Sequence, residues 1–340
     1  MDEDVKYNEE KNYIKIWPYL DDISQAIIPY SDKYLNNKWI VNLNFSEVQR
    51  INSSIIAITL AKLVSVLAKK HYSFKLIVPE NESVKNFLHD SGFLSIINNY
   101  LNFSNTIGDL FEEVEIIDIK RDTKKFSILD KTANIKKTSF PIFHLIYNPN
   151  NVRESVDKFS NWLDDNILSV LDNYEVKTDI LYSVLTEIAK NSQDHTESNA
   201  FFGIDIIENL DTKRGEFLFS CSDMGKGISK TIRTFLRENH QEDLRPDAWK
   251  HLSFTDCYKW AFTLGKTSKK PPNMGIGMTM IIDGACNLNM DLSIWDAESM
   301  MLIPKSLYLY PESFNHEELR KKVFNTGNKV GFYYYGRLKF

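Results

Sequence analysis

The chain has 340 residues, of which 43% are hydrophobic and 26% charged, and its formal net charge is −5. This composition excludes a disordered chain and is typical of a globular protein long enough for two domains. The slightly acidic balance, without a concentrated basic surface, argues against nucleic acid as a partner.

Three cysteines lie far apart and fit neither a zinc-binding spacing nor a disulfide framework: Cys221, Cys257 and Cys286. We therefore expect a reduced, cytoplasmic setting. The acidic start MDEDVKYNEE is unlike a signal peptide. The most apolar helical segment, IIAITLAKLVSVLAKK, is interrupted by Lys62 and is too short to cross a bilayer. No membrane association is predicted.

The first part of the chain predicts a small α/β domain. Residues 1–35 are expected to form an N-terminal extension. The segments WIVNLNF and FKLIVP have the apolar and β-branched composition of buried strands, and residues 51–70 between them predict a helix. This alternation predicts an α/β domain over 36–125. The polar and basic stretch 118–138 is predicted to form surface strands or a linker, and the domain division assigns 126–150 to a linker.

The remainder, residues 151–340, predicts helices and strands in a different order. VDKFSNWLDDNILSVL and DILYSVLTEIAKNSQDH have helical periodicity. A loop running into a helix is predicted at NMGIGMTMIIDGA. Strands are predicted at FFGIDIIEN, GEFLFSCSD, LSIWDA, MMLIP and VGFYYYGRLKF. Helices segregated from a largely antiparallel sheet predict an α+β sandwich.

A first motif lies in the helical stretch LTEIAKNSQDHT, where Glu187, Asn191 and Asp194 share one helix face. The neighbouring stripe has the spacing of a core-facing surface: Leu181, Val184, Leu185 and Ile188. A polar row beside a buried face is where the wall of a binding site would lie. An exposed polar face explains the row equally well.

Two glycine motifs follow further along the chain. In CSDMGKGIS, Asp223 ends a predicted strand before Gly225 and Gly227. A buried carboxylate accepts hydrogen bonds, for example from an adenine amino group, and glycines let the backbone approach a ligand. In NMGIGMTMI, Gly275 and Gly277 open a helix, and such an N-terminus presents free N–H groups to phosphate.

Other phosphate-binding motifs do not fit. The segment GKT at 265–267 has the end of a P-loop, but Trp260 occupies the position of its first glycine. Neither glycine pair reaches a third glycine at the dinucleotide-binding spacing, where Lys230 and Met280 stand. Each glycine pair alone is explained by an ordinary turn, so the ordered combination of three motifs carries the prediction.

In that order the motifs resemble those of the GHKL ATP-binding superfamily, which includes gyrase, a heat-shock chaperone, histidine kinases and mismatch-repair ATPases. The resemblance covers about 150–340, with EIAKNSQDH similar to the N box, DMGKGI to the G1 box and GIGMTMI to the G2 box. It implies ATP and Mg²⁺ as cofactors, with Mg²⁺ bound by the side-chain oxygen of Asn191. It also implies Glu187 as the general base that activates water.

The same resemblance implies the other binding residues and a lid. Asp223 would contact the adenine amino group, and residues 229–274 would form the ATP lid, a long one for the family. The nucleotide-binding residues implied are Asn191, Asp194, Asp223, Gly225, Gly227, Ile228, Lys266, Thr267, Ser268, Gly275, Ile276, Gly277, Met278 and Thr279.

A second resemblance lies upstream, where VNLNFSEVQRINSSIIAITLAKLV resembles a STAS domain. In anti-sigma-factor antagonists of that family a serine at the start of the helix accepts phosphate, which makes Ser53 a candidate phosphoacceptor. Ile55 replaces the usual glycine and Asn52 the usual aspartate. The simpler interpretation is that Asn52 or Ser53 caps the helix.

These resemblances lead to three hypotheses for function. The first is an Mg²⁺-dependent ATPase that acts as a conformational switch on a protein partner or on a second protomer. The second is an anti-sigma-type protein serine kinase. The third is a nucleotide sensor that binds ATP without hydrolysing it. Glu187 favours turnover, because a sensor needs no base at that position.

Overall fold

The structure of the chain is a computed structural model, and it describes residues 30–35, 38–45, 48, 51–67, 72–77, 79, 81–97, 124–196, 198–239, 252–263, 276–296, 299–302, 323–325 and 332–340. Its longer helices are α1 (Ser53–Leu67), α2 (Glu82–Asp90), α3 (Val152–Leu163), α4 (Thr178–Thr196), α5 (Ile228–Asn239), α6 (Phe254–Phe262) and α7 (Gly277–Asn287). A π-helical turn, Asp164–Leu168, and a last turn, Ser169–Leu171, extend α3.

The strands form two sheets. Their bounds are β1 (Tyr30–Leu35), β2 (Lys38–Asn44), β3 (Tyr72–Ile77), β4 (Phe126–Asp130), β5 (Ile135–Ser139), β6 (Phe143–Leu145), β7 (Ala200–Asn209), β8 (Arg214–Asp223), β9 (Asp291–Trp295), β10 (Ser299–Leu302), β11 (Val323–Asn325) and β12 (Phe332–Lys339). Within the described ranges, β1–β2–β3 form a three-stranded sheet. The other sheet has nine strands in the order β11–β10–β9–β12–β8–β7–β5–β4, with β6 also paired to β7. All strand pairs of the larger sheet are antiparallel. The predicted mixture of helices with an antiparallel sheet is therefore confirmed.

The two central strands of the large sheet, β7 and β8, are buried on both faces. Because side chains alternate along a strand, Phe202, Ile204 and Ile206 point to one face, where they join the core around α4. Phe201 points to the other face and packs with α1 residues. This double burial explains why FFGIDIIEN is apolar almost throughout.

The strands of the small sheet flank α1 in the sequence. Strand β1 is antiparallel to β2, and β2 is parallel to β3, with α1 as the connection between β2 and β3. This is the strand–helix–strand unit that the sequence predicted. Helix α1 also packs on the large sheet, because Ile56, Ala57 and Leu60 belong to one buried cluster with Phe201 of β7.

Of the two alternatives for the polar stretch 118–138, surface strands and a linker, its described part forms strands, and the segment 126–150 belongs to the large sheet. It contains β4, β5 and β6, and β5 and β6 pair directly with β7. Most residues of β4 are exposed at the edge of the sheet, so its sequence is polar and lacks the pattern of a buried strand. Among the described helices, none is both long and apolar enough to cross a membrane.

Candidate functional site

Helix α4 carries the polar row that the sequence singled out. The predicted core stripe is buried, because Leu181, Val184, Leu185 and Ile188 are each at most 1% exposed. The Glu187 side chain on the adjacent face is 12% exposed, and its carboxylate lies 3.3 Å from the ammonium group of Lys190. Asn191, one turn further on, is half-buried. The row therefore lies where the core meets solvent.

The first residue of α7 lies directly against this row. A Cβ atom added to Gly277 would lie 2.2 Å from Glu187 Oε1 and 3.1 Å from Asn191 Oδ1, so any larger residue there would displace the Glu187 carboxylate. Two motifs that are far apart in the sequence thus meet in space. Ile276 precedes the helix, and its carbonyl accepts a hydrogen bond from the amide of Met280 at 2.9 Å.

Asp223 ends β8 on the same face of the sheet as α4. Phe217, Phe219 and Cys221 alternate along this strand and join the core around α4, which gives Asp223 the same orientation. The side chain is buried, and its Oδ1 atom accepts a hydrogen bond from the amide of Gly225 at 2.8 Å. Burial raises the pKa of the Asp223 carboxyl to about 8. The Gly225 amide opposes this rise, and the Asp296 carboxylate adds to it.

Tyr334, in the middle of β12, contacts both helices of the site. Its hydroxyl donates to Met278 Sδ at 3.7 Å and shares a hydrogen bond with the side chain of Asn191. Burial raises the pKa of this hydroxyl above its ordinary value. Tyr334 lies within the apolar run VGFYYYGRLKF, and no motif in that run marks it as a residue that contacts the site.

Asp296 is a second acid at the site that the sequence analysis missed. It follows β9 directly, it is buried, and its Oδ2 atom accepts a hydrogen bond from the amide of Ser229 at 2.8 Å. Gly227 has φ of +78°, and a Cβ atom there would lie 1.8 Å from Asp296 Oδ1. One signal was present, since LSIWD places an acid at the end of an apolar strand, as GEFLFSCSD does.

The described part of the predicted lid forms two packed helices. Ile232 and Leu236 of α5 share a small buried cluster with Cys257 of α6. The Arg233 guanidinium donates to the carbonyl of Leu252 at 2.7 Å, which fixes the start of the second helix. Ile228 packs against both this cluster and the main core. The predicted lid residues Lys266, Thr267 and Ser268, together with Gly275, lie outside the described residues.

The residues near α7 are compatible with a magnesium nucleotide. Asn191 Oδ1 and the Glu187 carboxylate face the start of α7, where a helix N-terminus favours phosphate. Within the described residues, Thr279 Oγ1 in the first turn is buried without a hydrogen-bond partner. No group of three or more His, Cys, Asp or Glu side chains that could bind a metal occurs in the described ranges. Magnesium fits this arrangement, because it is often held by one or two side chains plus phosphate oxygens and waters.

The serine pair at the start of α1 is buried against the large sheet. Asn52 Oδ1 accepts hydrogen bonds from the Ile55 amide at 2.9 Å and the Ser54 hydroxyl at 3.1 Å, so Asn52 caps the helix. The amides of Ser53 and Ser54 donate to the Asp205 carboxylate, each at 3.0 Å. Ser53 is 0% exposed and its hydroxyl donates to the carbonyl of Phe140. Phosphorylation of Ser53 would require α1 to leave the sheet.

Comparisons with known proteins give no relative for this chain. No protein-family model matches it, and no curated protein or solved structure matches it either.

Proposed function

We propose that the chain binds ATP with Mg²⁺ where α4, the start of α7 and the turn between β8 and α5 meet. The observation that carries the proposal is the contact of Gly277 with Glu187 and Asn191. The GHKL resemblance implies that the three motifs surround one nucleotide, and an accidental combination of motifs would not require this contact.

The base and the phosphates would bind at opposite ends of this site. The Asp223 carboxyl would accept a hydrogen bond from the adenine amino group, beside the turn that contains Gly225 and Gly227. The N–H groups at the start of α7 would face the phosphates, and the Thr279 hydroxyl would gain a partner there. Asn191 would bind Mg²⁺ through its side-chain oxygen, and the ion would neutralise phosphate charge.

Hydrolysis would depend on Glu187. Its carboxylate would accept a proton from the attacking water, which requires that it leave its ion pair with Lys190. Lys190 is half-exposed, so water screens its ion pair with Glu187 and can replace the carboxylate as its partner. A change of partner for Glu187 is therefore energetically accessible.

The consequence of turnover would be a conformational switch. Helix α5 begins directly after the Gly225–Gly227 turn, so nucleotide contacts with that turn would act on the α5–α6 pair. This pair would in turn change its contacts with a protein partner or a second copy of the chain. The cytoplasmic setting remains a prediction.

Two alternatives make different predictions. A kinase that phosphorylates its own Ser53 is disfavoured, because that hydroxyl is buried and hydrogen-bonded. A sensor that only binds ATP would keep full nucleotide affinity and release no phosphate.

Phosphate release by the purified chain with Mg²⁺ and ATP tests the proposal. Glu187→Gln is expected to retain ATP affinity and to lose turnover by roughly 100-fold or more, as for loss of a general base. Glu154→Gln is the matched control, because Glu154 also forms a helical ion pair with a lysine, 2.6 Å away, but lies on α3. Wild-type turnover in Glu187→Gln would refute the assigned role, and binding without any turnover would favour the sensor.

A further inference from the structure

Two acids hold the glycine turn between β8 and α5, one at each end. The Asp223 carboxylate accepts the Gly225 amide at 2.8 Å, and the Asp296 carboxylate accepts the Ser229 amide at 2.8 Å. Gly227 lies between these two bonds and against Asp296 Oδ1. The path of the turn is therefore fixed by side chains from two different strands.

The sheet register places the two acids at the same end. Ser222 of β8 is opposite Tyr333 of β12, and Tyr333 is opposite Trp295 of β9. Asp223 is the residue after Ser222, and Asp296 is the residue after Trp295. Adjacent strands lie about 4.8 Å apart, so the two strand ends are separated by about 10 Å. The turn spans that gap and then enters α5.

The Ser229 amide belongs to the first turn of α5, where backbone N–H groups have no partner within the helix. A carboxylate that accepts such a group acts as a cap and also complements the helix dipole. Ordinarily the residue before the helix supplies the cap. Here the preceding residue is Gly227, which has no side chain, and Asp296 supplies the carboxylate from β9.

We propose that Asp296 is a positioning residue of the nucleotide site, holding the Gly225–Gly227 turn and the start of α5 in the conformation that binds the base. The role is indirect, because Asp296 acts through the Ser229 amide and through its contact with Gly227. The inference rests on the proposed ATP site and adds a residue that none of the three motifs contains.

Calorimetric titration of Mg²⁺ and ATP into four proteins tests this role: the wild type, Asp296→Ala, Asp296→Asn and Asp291→Asn. Asp296→Ala removes the acceptor and is expected to weaken ATP binding about tenfold or more. Asp296→Asn keeps an oxygen that can accept the Ser229 amide, so its affinity is expected to stay within about threefold of wild type. Asp291 is exposed at the other end of β9, and Asp291→Asn is the control.

Rescue by asparagine separates positioning from a general effect on stability. Thermal unfolding of the same proteins identifies any variant that fails to fold. If Asp296→Ala fails to fold, the affinity of Asp296→Asn becomes the deciding measurement, and a loss of more than about threefold in that variant overturns the inference. Unchanged affinity in Asp296→Ala overturns the inference while leaving the ATP site intact. Equal losses in both Asp296 variants also overturn it, because the hydrogen bond would then not be the cause. Absence of binding by the wild type refutes the proposed function itself, and the positioning role with it.

Discussion

Replacement of Asp223 by asparagine should change stability and ATP binding in opposite directions. Burial raises the pKa of the Asp223 carboxyl from 3.8 to about 8 in the folded chain. The folded state therefore holds its proton more tightly than the unfolded state. The stability contributed by this group is fully present below pH 3.8 and is lost as the pH rises through about 8.

The size of the effect follows from the same shift. Each pH unit between the two pKa values costs about 1.4 kcal/mol of unfolding free energy, so the loss at pH 7.5 is up to about 5 kcal/mol. Asparagine has nearly the same shape and does not ionise. Its side-chain oxygen can still accept the Gly225 amide, which leaves the amide NH₂ group at the position proposed to face adenine.

Urea unfolding at pH 5, 7 and 8.5 measures the stability term. The free-energy difference between Asp223→Asn and wild type is expected to grow in favour of the variant with rising pH, by about 2 kcal/mol or more between pH 5 and pH 8.5. Asp291→Asn, at an exposed position, is the control for the substitution itself. ATP affinity should fall about tenfold, because two donors would then face each other. A pH-independent difference would refute the buried ionisation, and unchanged affinity would refute the assignment of Asp223 to the base.

Three further changes test other contacts. Gly277→Ala should weaken magnesium-dependent ATP binding about threefold or more without unfolding the chain, because the new Cβ would displace the Glu187 carboxylate and crowd Asn191 Oδ1. Wild-type affinity of this variant by calorimetry would contradict the expectation. Asp205→Ala should lower the free energy of unfolding by about 3 kcal/mol or more, since two buried amides and two hydroxyls lose their acceptor. A loss of less than about 1 kcal/mol, the contribution of one ordinary hydrogen bond, would count against this. Tyr334→Phe should weaken magnesium-dependent ATP binding about threefold, because the Asn191 side chain loses its hydrogen bond to the Tyr334 hydroxyl. Equal ATP affinities of the variant and the wild type would show that this hydrogen bond does not position Asn191.

The sequence predicted most of the individual elements, because their patterns are local. The periodicity of α4 identified the buried stripe and the polar row together, and both are where it predicted. The GHKL resemblance implies that the three motifs surround one nucleotide, and the contact of Gly277 with Glu187 and Asn191 is compatible with that prediction. These features depend on spacings within one helix or within a short motif.

Long-range pairing explains what the sequence could not predict. Asp296 and Tyr334 reach the site only because β9, β12 and β8 are neighbours in the sheet, an order that no single segment encodes. Likewise, Asp205 is one acid in an apolar strand, and its partners Ser53 and Ser54 lie about 150 positions away. Strand β4 at the sheet edge and its neighbour β5 are largely polar, and this composition is shared by surface strands and linkers, so the sequence does not distinguish between the two.

A crystal structure with Mg²⁺ and a non-hydrolysable ATP analogue tests the central claim most directly. The account predicts one nucleotide per chain, with its base at Asp223, its phosphates at the start of α7 and the metal at Asn191. A nucleotide bound elsewhere, or crystals that take up no analogue at saturating concentration, would contradict it.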